Sequence, residues 1–179
     1  NDLELRLWQA DHAVVSEPGW ALLTEPPKVG QQALDQARLP PRLANCQFWH
    51  TLSTDPMPGA TPIARHHADL AYLQLTAFKH LAPSSEFVVS VPGHFDRADL
   101  SLLLGLMDAA SITVKALIDP GVLLASRTPS TTPNLLYLDV GLYTVTITVI
   151  QQGAQSQRSS CRIAHNAGYL NLIDRLANY

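Results

Sequence analysis

Two aspartates, each placed after an apolar segment, are the residues of this chain best suited to chemistry. Asp119 follows the segment 112–118, and Asp139 closes the segment 135–139. Two carboxylates that converge in a cleft can hold a hydrated Mg²⁺, because this ion keeps several waters and needs few protein ligands. The alternative is structural, since an aspartate can cap its own turn by accepting backbone N–H bonds. Taken alone, the sequence around Asp139 favours that structural role.

A predicted hairpin surrounds Asp139. Gly141 permits a tight turn, and Thr144 begins a segment in which threonine alternates with valine and isoleucine as far as Ile150. This period of two predicts a strand that returns antiparallel to 135–139.

Other groupings are weaker candidates. His66 and His67 precede Asp69, but adjacent residues on a helix diverge by about 100°, which favours a solvated helix face over a metal site. Cys46 lies near His50 without an orienting acid, which favours a buried thiol over a nucleophile.

The hydrophobic periodicity predicts the elements that must position the two aspartates. It predicts an antiparallel meander of strands within 3–23, a short helix over 31–38, a long helix that Thr61 caps and Pro62 begins, a strand–helix–strand unit over 86–118, a helix over 120–126, strands over 135–139, 143–150 and through Ile163, and a helix over 168–179. The strand–helix–strand unit is expected to be a parallel crossover. We expect its strands to share one mixed sheet with the first strand of the meander.

The composition restricts the classes of function. Lys and Arg total 12 against 15 Asp and Glu, a net charge of −3, and only 15% of residues are charged. Nucleic-acid binding is disfavoured because it requires a basic face. No apolar run approaches the ~18 residues of a membrane span, and two cysteines without a disulfide pattern suggest a reducing, cytoplasmic location. The sparse charge suggests that much of the surface is buried, or that some of it meets another chain or a further domain.

The segment 88–126 resembles part of the DnaK-type heat-shock chaperones. Those proteins have V-P-A-x-F, then a helix, then a strand that ends in N-E-P-x-A-A-A. Here Val91, Pro92 and Phe95 match the first part, and Asp-Pro at 119–120 stands where the family has Glu-Pro.

Further similarity covers nearly the whole chain, in order and spacing more than in identity. The hairpin at Asp139 follows at the family's distance, the segment from Lys28 is similar to the family's G-x-x-A stretch, and 166–179 is similar to its G-G-x-x-x-D region. The resemblance implies an α/β, ribonuclease-H-like lobe of the actin-like ATPases, with a mixed sheet flanked by helices. It implies a first lobe over 1–167, with a Pro-rich insertion at 24–62 in which Phe48 and Trp49 favour burial, and the start of a second lobe at 168–179.

The resemblance also implies a site for ATP and Mg²⁺ in the complete protein. Asp119 and Asp139 would be catalytic and would hold Mg²⁺ through water, and Asp139, Gly141, Thr144 and Gly168 would bind the nucleotide. In the family, backbone N–H groups of this hairpin meet the phosphate oxygens.

Several family features differ or lie outside the sequence. The first phosphate loop, D-x-G-T, would precede Asn1, and the second loop has Leu142 and Tyr143 where the family has glycines. Large side chains there crowd a phosphate site. The catalytic lysine expected near Trp49 is missing, and Asp119 replaces a longer glutamate.

Two functions therefore stand beside each other. One is an ATP-binding protein, at most a weak ATPase, in which lobe closure drives a protein partner. The other is a degenerate, non-hydrolysing relative that serves as an interaction or assembly scaffold. The partner would be another protein, a second lobe of the same protein or a second copy.

Overall fold

The structure, a computed structural model, describes residues 4–9, 12–82, 84, 86–128 and 132–178. Within these residues the chain is mixed α/β, with several small sheets and helices. It divides into two compact units. The first comprises the chain up to Phe87 together with Arg97–Val114, and the second comprises Val88–Asp96 together with the chain from Lys115. The predicted lobe boundary at 167/168 remains a prediction.

Among the described residues the first unit contains short strands, three α-helices and a 3-10 helix at Pro41–Leu43. Its strands are β1 (Glu4–Gln9), β2 (His12–Pro18), β3 (Ala21–Leu22), β4 (Lys28–Val29) and β5 (Ala44–Asn45), and its helices are α1 (Gln31–Gln36), α2 (His67–Leu81) and α3 (Arg97–Ala109). β1 and β2 form an antiparallel pair, as predicted. The prediction for the third strand of the meander is wrong, because β3 pairs with β4 and β5 and does not pair with β2. Ala21 and Leu22 are almost fully buried, and this central position gives β3 partners on both edges.

The beginning of α2 also differs from the prediction. The helix begins at His67 instead of Pro62, and His66 and Asp69 form a reciprocal capping box there. Thr61 Oγ1 instead accepts a hydrogen bond of 3.0 Å from the Ala64 N–H, which closes a separate turn. In the capping box two side chains accept hydrogen bonds from backbone N–H groups at the beginning of the helix. A start at Thr61 and Pro62 would have had only the Thr61 side chain for this purpose.

The core of the first unit forms around the Pro-rich segment. Phe48 is fully buried and Trp49 is 7% exposed, which confirms the expectation that they favour burial. The Trp49 indole N–H donates to Gln74 Oε1 at 2.6 Å, and Gln74 Nε2 donates to the Pro18 carbonyl at 2.6 Å. Gln74 is 1% exposed, so this buried amide has a partner at each end.

The remaining elements agree in type and order with the sequence-based expectation. They are β6 (Glu86–Ser90) and β7 (Thr113–Ile118), which pair, followed by α4 (Pro120–Arg127), β8 (Asn134–Val140), β9 (Thr144–Gln151), β10 (Gln157–His165) and α5 (Tyr169–Ala177). In the second unit β9 lies between β8 and β10, and both pairs are antiparallel.

The expectation of one shared mixed sheet is wrong for the described residues. The β1–β2 pair and the β6–β7 pair are separate two-stranded sheets. Alternating apolar residues predicted the strands themselves, but this period does not specify which strand pairs with which. None of the helices in the described part of the chain has the length and apolar character needed to cross a membrane.

Candidate functional site in the second unit

Asp119 occupies the N-cap of α4. Its Oδ1 accepts hydrogen bonds from the backbone N–H groups of Gly121 at 2.8 Å and Val122 at 3.3 Å. Pro120 follows at the first helical position, where its fixed φ favours the helix and its missing N–H costs nothing. One carboxylate oxygen therefore has a structural role at the beginning of the helix.

The other oxygen of Asp119 faces an arginine from β10. Arg158 Nη1 lies 3.2 Å from Asp119 Oδ2 and donates to the Gly93 carbonyl at 2.7 Å. The Asp119 side chain is only 12% exposed, whereas that of Arg158 is 44% exposed. The arginine thus places a positive charge beside the carboxylate that the resemblance assigns to hydrated Mg²⁺.

Gly93, in the turn after β6, lies directly against this ion pair. A Cβ added to Gly93 would lie 3.1 Å from Asp119 Oδ2 and 3.3 Å from both Cys161 Sγ and Thr148 Oγ1. These separations are tight for carbon, so a side chain at position 93 would displace at least one neighbour. The turn after β6, the beginning of α4 and the middle of the β9–β10 pair therefore meet at this point.

Asp139 lies on the same face of the sheet as this cluster. Tyr137 is two residues away on β8, so its side chain and that of Asp139 share a face. Gly121 of α4 approaches Tyr137 and Ile150 so closely that a Cβ there would lie 2.9 Å and 2.8 Å from their side chains.

The pKa of the Tyr137 phenol is affected by both aspartates. Burial raises the pKa of Tyr137 above its usual value, and the negative charges of Asp139 and Asp119 raise that pKa further. Asp139 is opposite Thr146 on β9, and Tyr137 is opposite Thr148. Since Thr148 lies near Asp119, the two carboxylates are offset by a step of two residues, or about 7 Å along the strands.

The turn between β8 and β9 is joined to α5. The N–H groups of Tyr169 and Leu170 donate to the carbonyls of Gly141 at 2.9 Å and Leu142 at 3.0 Å. Gly168, the N-cap of α5, packs so closely that an added Cβ would collide with the backbone of Leu142 and Tyr143. Gly141 and Gly168 therefore lie together at this junction, which is the end of the sheet where Thr144 begins β9.

The two faces of β9 have an unexpected orientation. Thr144, Thr146 and Thr148 are buried, with at most 5% exposure, whereas Ile147 on the opposite face is 37% exposed. The hydroxyl of Thr148 donates to Cys161 Sγ at 3.5 Å, a weak contact. The α4 side of β9 thus carries these three hydroxyl groups together with the buried Ile150, and Ile147 lies on the other side.

The outer face of β8 is the most exposed apolar surface of the sheet. Leu136, Leu138 and Val140 are 72%, 61% and 52% exposed. Helix α5 buries no residue and also exposes large apolar side chains, namely Tyr169, Leu172, Ile173 and Leu176. Their spacing places these four on one face of the helix.

The predicted site residues thus fall into two groups. Asp139, Gly141, Thr144 and Gly168 belong to the β8–β9 turn and its junction with α5, and Asp119 belongs to the cluster at Gly93. Sequence reasoning missed Arg158 and Tyr137. Arg158 carried no signal because its role depends on β10 returning beside Asp119, whereas Tyr137 could have been found from its place two residues before Asp139 on a predicted strand.

No protein-family model matches the chain, and no curated protein matches it either. Among the residues that the structure describes, no group of three or more His, Cys, Asp or Glu side chains could hold a metal ion.

Proposed function

We propose that the chain is a divergent, non-hydrolysing relative of the actin- and DnaK-like ATPases that acts as a protein-interaction or assembly scaffold. The observation that carries this proposal is the second unit's exposed aliphatic surface, formed by Leu136, Leu138 and Val140. Monomeric domains rarely leave contiguous apolar surface open, and such surface usually meets another protein.

The environment of Asp119 supports the absence of hydrolysis. Arg158 and the beginning of α4 each hydrogen-bond one of its carboxylate oxygens, so a hydrated Mg²⁺ would meet the positive charge of the arginine there. The burial of Leu142, which is 9% exposed, is also consistent with a turn that packs internally.

The proposed fold is a divergent ribonuclease-H-like one. The succession of β6, α3 and β7, the Asp119–Pro120 helix start and the antiparallel β8–β9 hairpin support this fold. The separation of the β1–β2 and β6–β7 sheets departs from it.

ATP binding in the complete protein is the second candidate function, and one observation favours it. Asp119 and Asp139 act on the same phenol, Tyr137, and two carboxylates on one face of a sheet could share a hydrated Mg²⁺. In that case the nucleotide would meet the turn at Gly141 and Thr144, and cellular location would be the cytoplasm in both functions.

Calorimetric titration of the complete protein with Mg-ATP separates the two functions. The scaffold proposal predicts no heat of binding at millimolar nucleotide for the wild type. Binding that Asp139→Asn removes, in a variant with unchanged circular dichroism, would replace the scaffold proposal with the nucleotide-binding one.

A photo-crosslinking amino acid tests the interaction surface directly. Placed at Leu138 it should give a covalent adduct in cells, whereas at Leu39, which is 87% exposed but lies in the first unit, it should give none. Equal labelling at the two positions would contradict a specific role for the outer face of β8.

A further inference from the structure

The bulge in β10 places the side chain of Arg158 on the α4 face of the second unit's sheet. Arg158 is opposite Ile150, and Cys161 is opposite Thr148. Residues three apart on a regular strand point to opposite faces. The additional residue of the bulge, Ser159, removes this difference. Arg158 and Cys161 therefore share the face on which Ile150 and Thr148 are buried.

The guanidinium of Arg158 contacts two further elements through a single nitrogen. Nη1 donates to the Gly93 carbonyl at 2.7 Å, in the turn after β6, and to Asp119 Oδ2 at 3.2 Å, at the beginning of α4. A Cβ added to Gly93 would lie 3.1 Å from the same carboxylate oxygen. The turn, the helix and β10 therefore meet at one positive charge.

Asp119 requires a positive charge beside it, because its side chain is only 12% exposed. A buried carboxylate without a partner is unfavourable, and proteins pair such groups with a cation or a metal ion. Arginine remains protonated in proteins, and its guanidinium has five donors and no acceptor. Arg158 therefore supplies the charge permanently, and it donates to the carboxylate but cannot ligate a metal ion.

The surroundings of Asp119 do not fit the hydrated Mg²⁺ that the resemblance assigns to it. Oδ1 accepts hydrogen bonds from the N–H groups of Gly121 and Val122, and Oδ2 accepts one from Arg158. Mg²⁺ requires an octahedron of oxygen ligands, several of which are waters. A guanidinium nitrogen 3.2 Å from Oδ2 repels a divalent cation at that oxygen by its charge.

We infer that Arg158 is a built-in counter-cation, which takes the place of a divalent metal ion at Asp119 and excludes such an ion from the site. The same contacts hold the turn after β6 to the beginning of α4 without a ligand. The inference rests on the proposed non-hydrolysing function and names the residue responsible for it. It predicts that the site gains affinity for a divalent cation when the positive charge of Arg158 is removed.

Binding of Mn²⁺ alone to the whole chain, measured by electron paramagnetic resonance, tests this exclusion. Mn²⁺ is a suitable probe because, like Mg²⁺, it prefers oxygen ligands. The wild type should show no Mn²⁺ binding that Asp119→Asn removes. Arg158→Gln should increase the affinity for Mn²⁺ by at least about tenfold, and the double variant Arg158→Gln, Asp119→Asn should lose this gain.

Two further variants show whether the charge of Arg158 is responsible. Arg158→Lys keeps the charge and should exclude Mn²⁺ as the wild type does. Arg162→Gln is the matched control, because Arg162 lies on the same strand opposite Ile147, on the other face of the sheet. Asp119-dependent binding in the wild type, or no gain in Arg158→Gln with unchanged circular dichroism, overturns the inference.

A second measurement leaves Arg158 in place and does not depend on the folding of its variants. Phenylglyoxal modifies accessible arginine side chains, and peptide mass spectrometry measures the rate at each position. Asp119→Asn keeps the N-cap of α4, since asparagine caps as well as aspartate, but it removes the charge. The labelling rate of Arg158 should rise several-fold in this variant, while that of Arg162 stays constant. An unchanged rate at Arg158 would overturn the pairing.

These outcomes separate the inference from the proposed function. Asp119-dependent binding of Mn²⁺ by the wild type, without binding of Mg-ATP, overturns the inference and leaves the scaffold role in place. If the photo-crosslinker labels equally at Leu138 and Leu39 while Arg158→Gln gains the Mn²⁺ site, the scaffold role is contradicted and the inference stands.

Discussion

The two units of this chain distribute their apolar residues in opposite ways. In the first, large side chains such as Phe48, Leu22 and Leu70 are almost completely buried, and the buried amide of Gln74 has partners at both ends. In the second, the described buried apolar residues are few, the central strand buries threonines, and leucines face outward. The first unit thus places its large apolar side chains in a core, whereas the second leaves aliphatic side chains on its surface.

This difference separates stability from association. Substitutions of aliphatic residues in the first unit should act on folding, because they create cavities. Substitutions on the outer face of β8 should act on binding and leave folding almost unchanged. Four experiments, from the largest expected effect to the smallest, test this division.

Truncation of the first unit's core should have the largest effect. Phe48→Ala is expected to lower the free energy of unfolding by about 3–5 kcal/mol, because it leaves a cavity at a fully buried position. Leu136→Ala, at 72% exposure, should change it by less than about 0.5 kcal/mol. Urea denaturation of dilute protein, followed by tryptophan fluorescence, measures both. Similar losses for the two variants would contradict the contrast between the units.

Buried polar groups should also differ between the units. Gln74→Met leaves the Trp49 indole N–H without its acceptor and should cost about 1–3 kcal/mol. Thr148→Val removes only a weak bond to Cys161 Sγ and should cost less than about 1 kcal/mol. The double variant Trp49→Phe, Gln74→Met removes the unsatisfied donor, so it should lose less than the sum of its single changes. Additive losses would assign Gln74 a packing role only.

The phenol of Tyr137 should report the two aspartates in the second unit. Its folded pKa is raised by burial and then by the charges of Asp139 and Asp119, so Asp139→Asn should lower that pKa and Asp119→Asn should lower it less. Because the folded pKa is raised, Tyr137 makes its full contribution to stability at pH values below its unfolded pKa of about 10. This contribution is lost as the pH rises through the folded pKa. NMR titration of ¹³C-labelled tyrosine measures the shift. An unchanged pKa in both variants would show that the carboxylates lie farther from the phenol.

Glu4 should give the smallest effect, and at the opposite end of the pH scale. Burial opposes its ionisation, but hydrogen bonds from Arg6 and Ser16 outweigh burial and lower the pKa of Glu4 from 4.5. The stabilisation is therefore present above pH 4.5 and is lost as the pH falls through the lower folded value. Glu4→Gln should flatten the acid limb of the stability curve slightly. An acid limb identical to that of the wild type would show that Glu4 does not contribute to it.

Local sequence patterns predicted much of the fold but not its long-range pairing. The strands β6 to β10 and the helix after Asp119 follow from alternation, apolar runs and the Asp-Pro start. The partners of β3 and the separate sheets could not be read in this way, because strand pairing depends on contacts distant in sequence. The beginning of α2 was misplaced because Thr61-Pro62 and the His66–Asp69 box are both valid start signals, and packing selects the second.

The candidate site was predictable residue by residue and not as an arrangement. Asp119 and Asp139 could be found from their places after apolar segments, but Arg158 could not, since its pairing requires β10 to return beside α4. The sequence also did not show which face of β9 is buried. Its alternation separates threonines from aliphatic residues, and the usual preference for burying aliphatic residues would choose the opposite face from the one observed.

The junction of Gly168 with the β8–β9 turn has a mechanical consequence. Helix α5 and its N-cap Gly168 are held by three backbone hydrogen bonds, to the carbonyls of Gly141, Leu142 and Tyr143, and no residue of the helix is buried. Its nine residues extend about 13 Å from that attachment. A rotation of about 10° at the turn would therefore move the far end, near Ala177, by about 2 Å. A small displacement of the turn would therefore become a larger one at the C-terminal end of the helix.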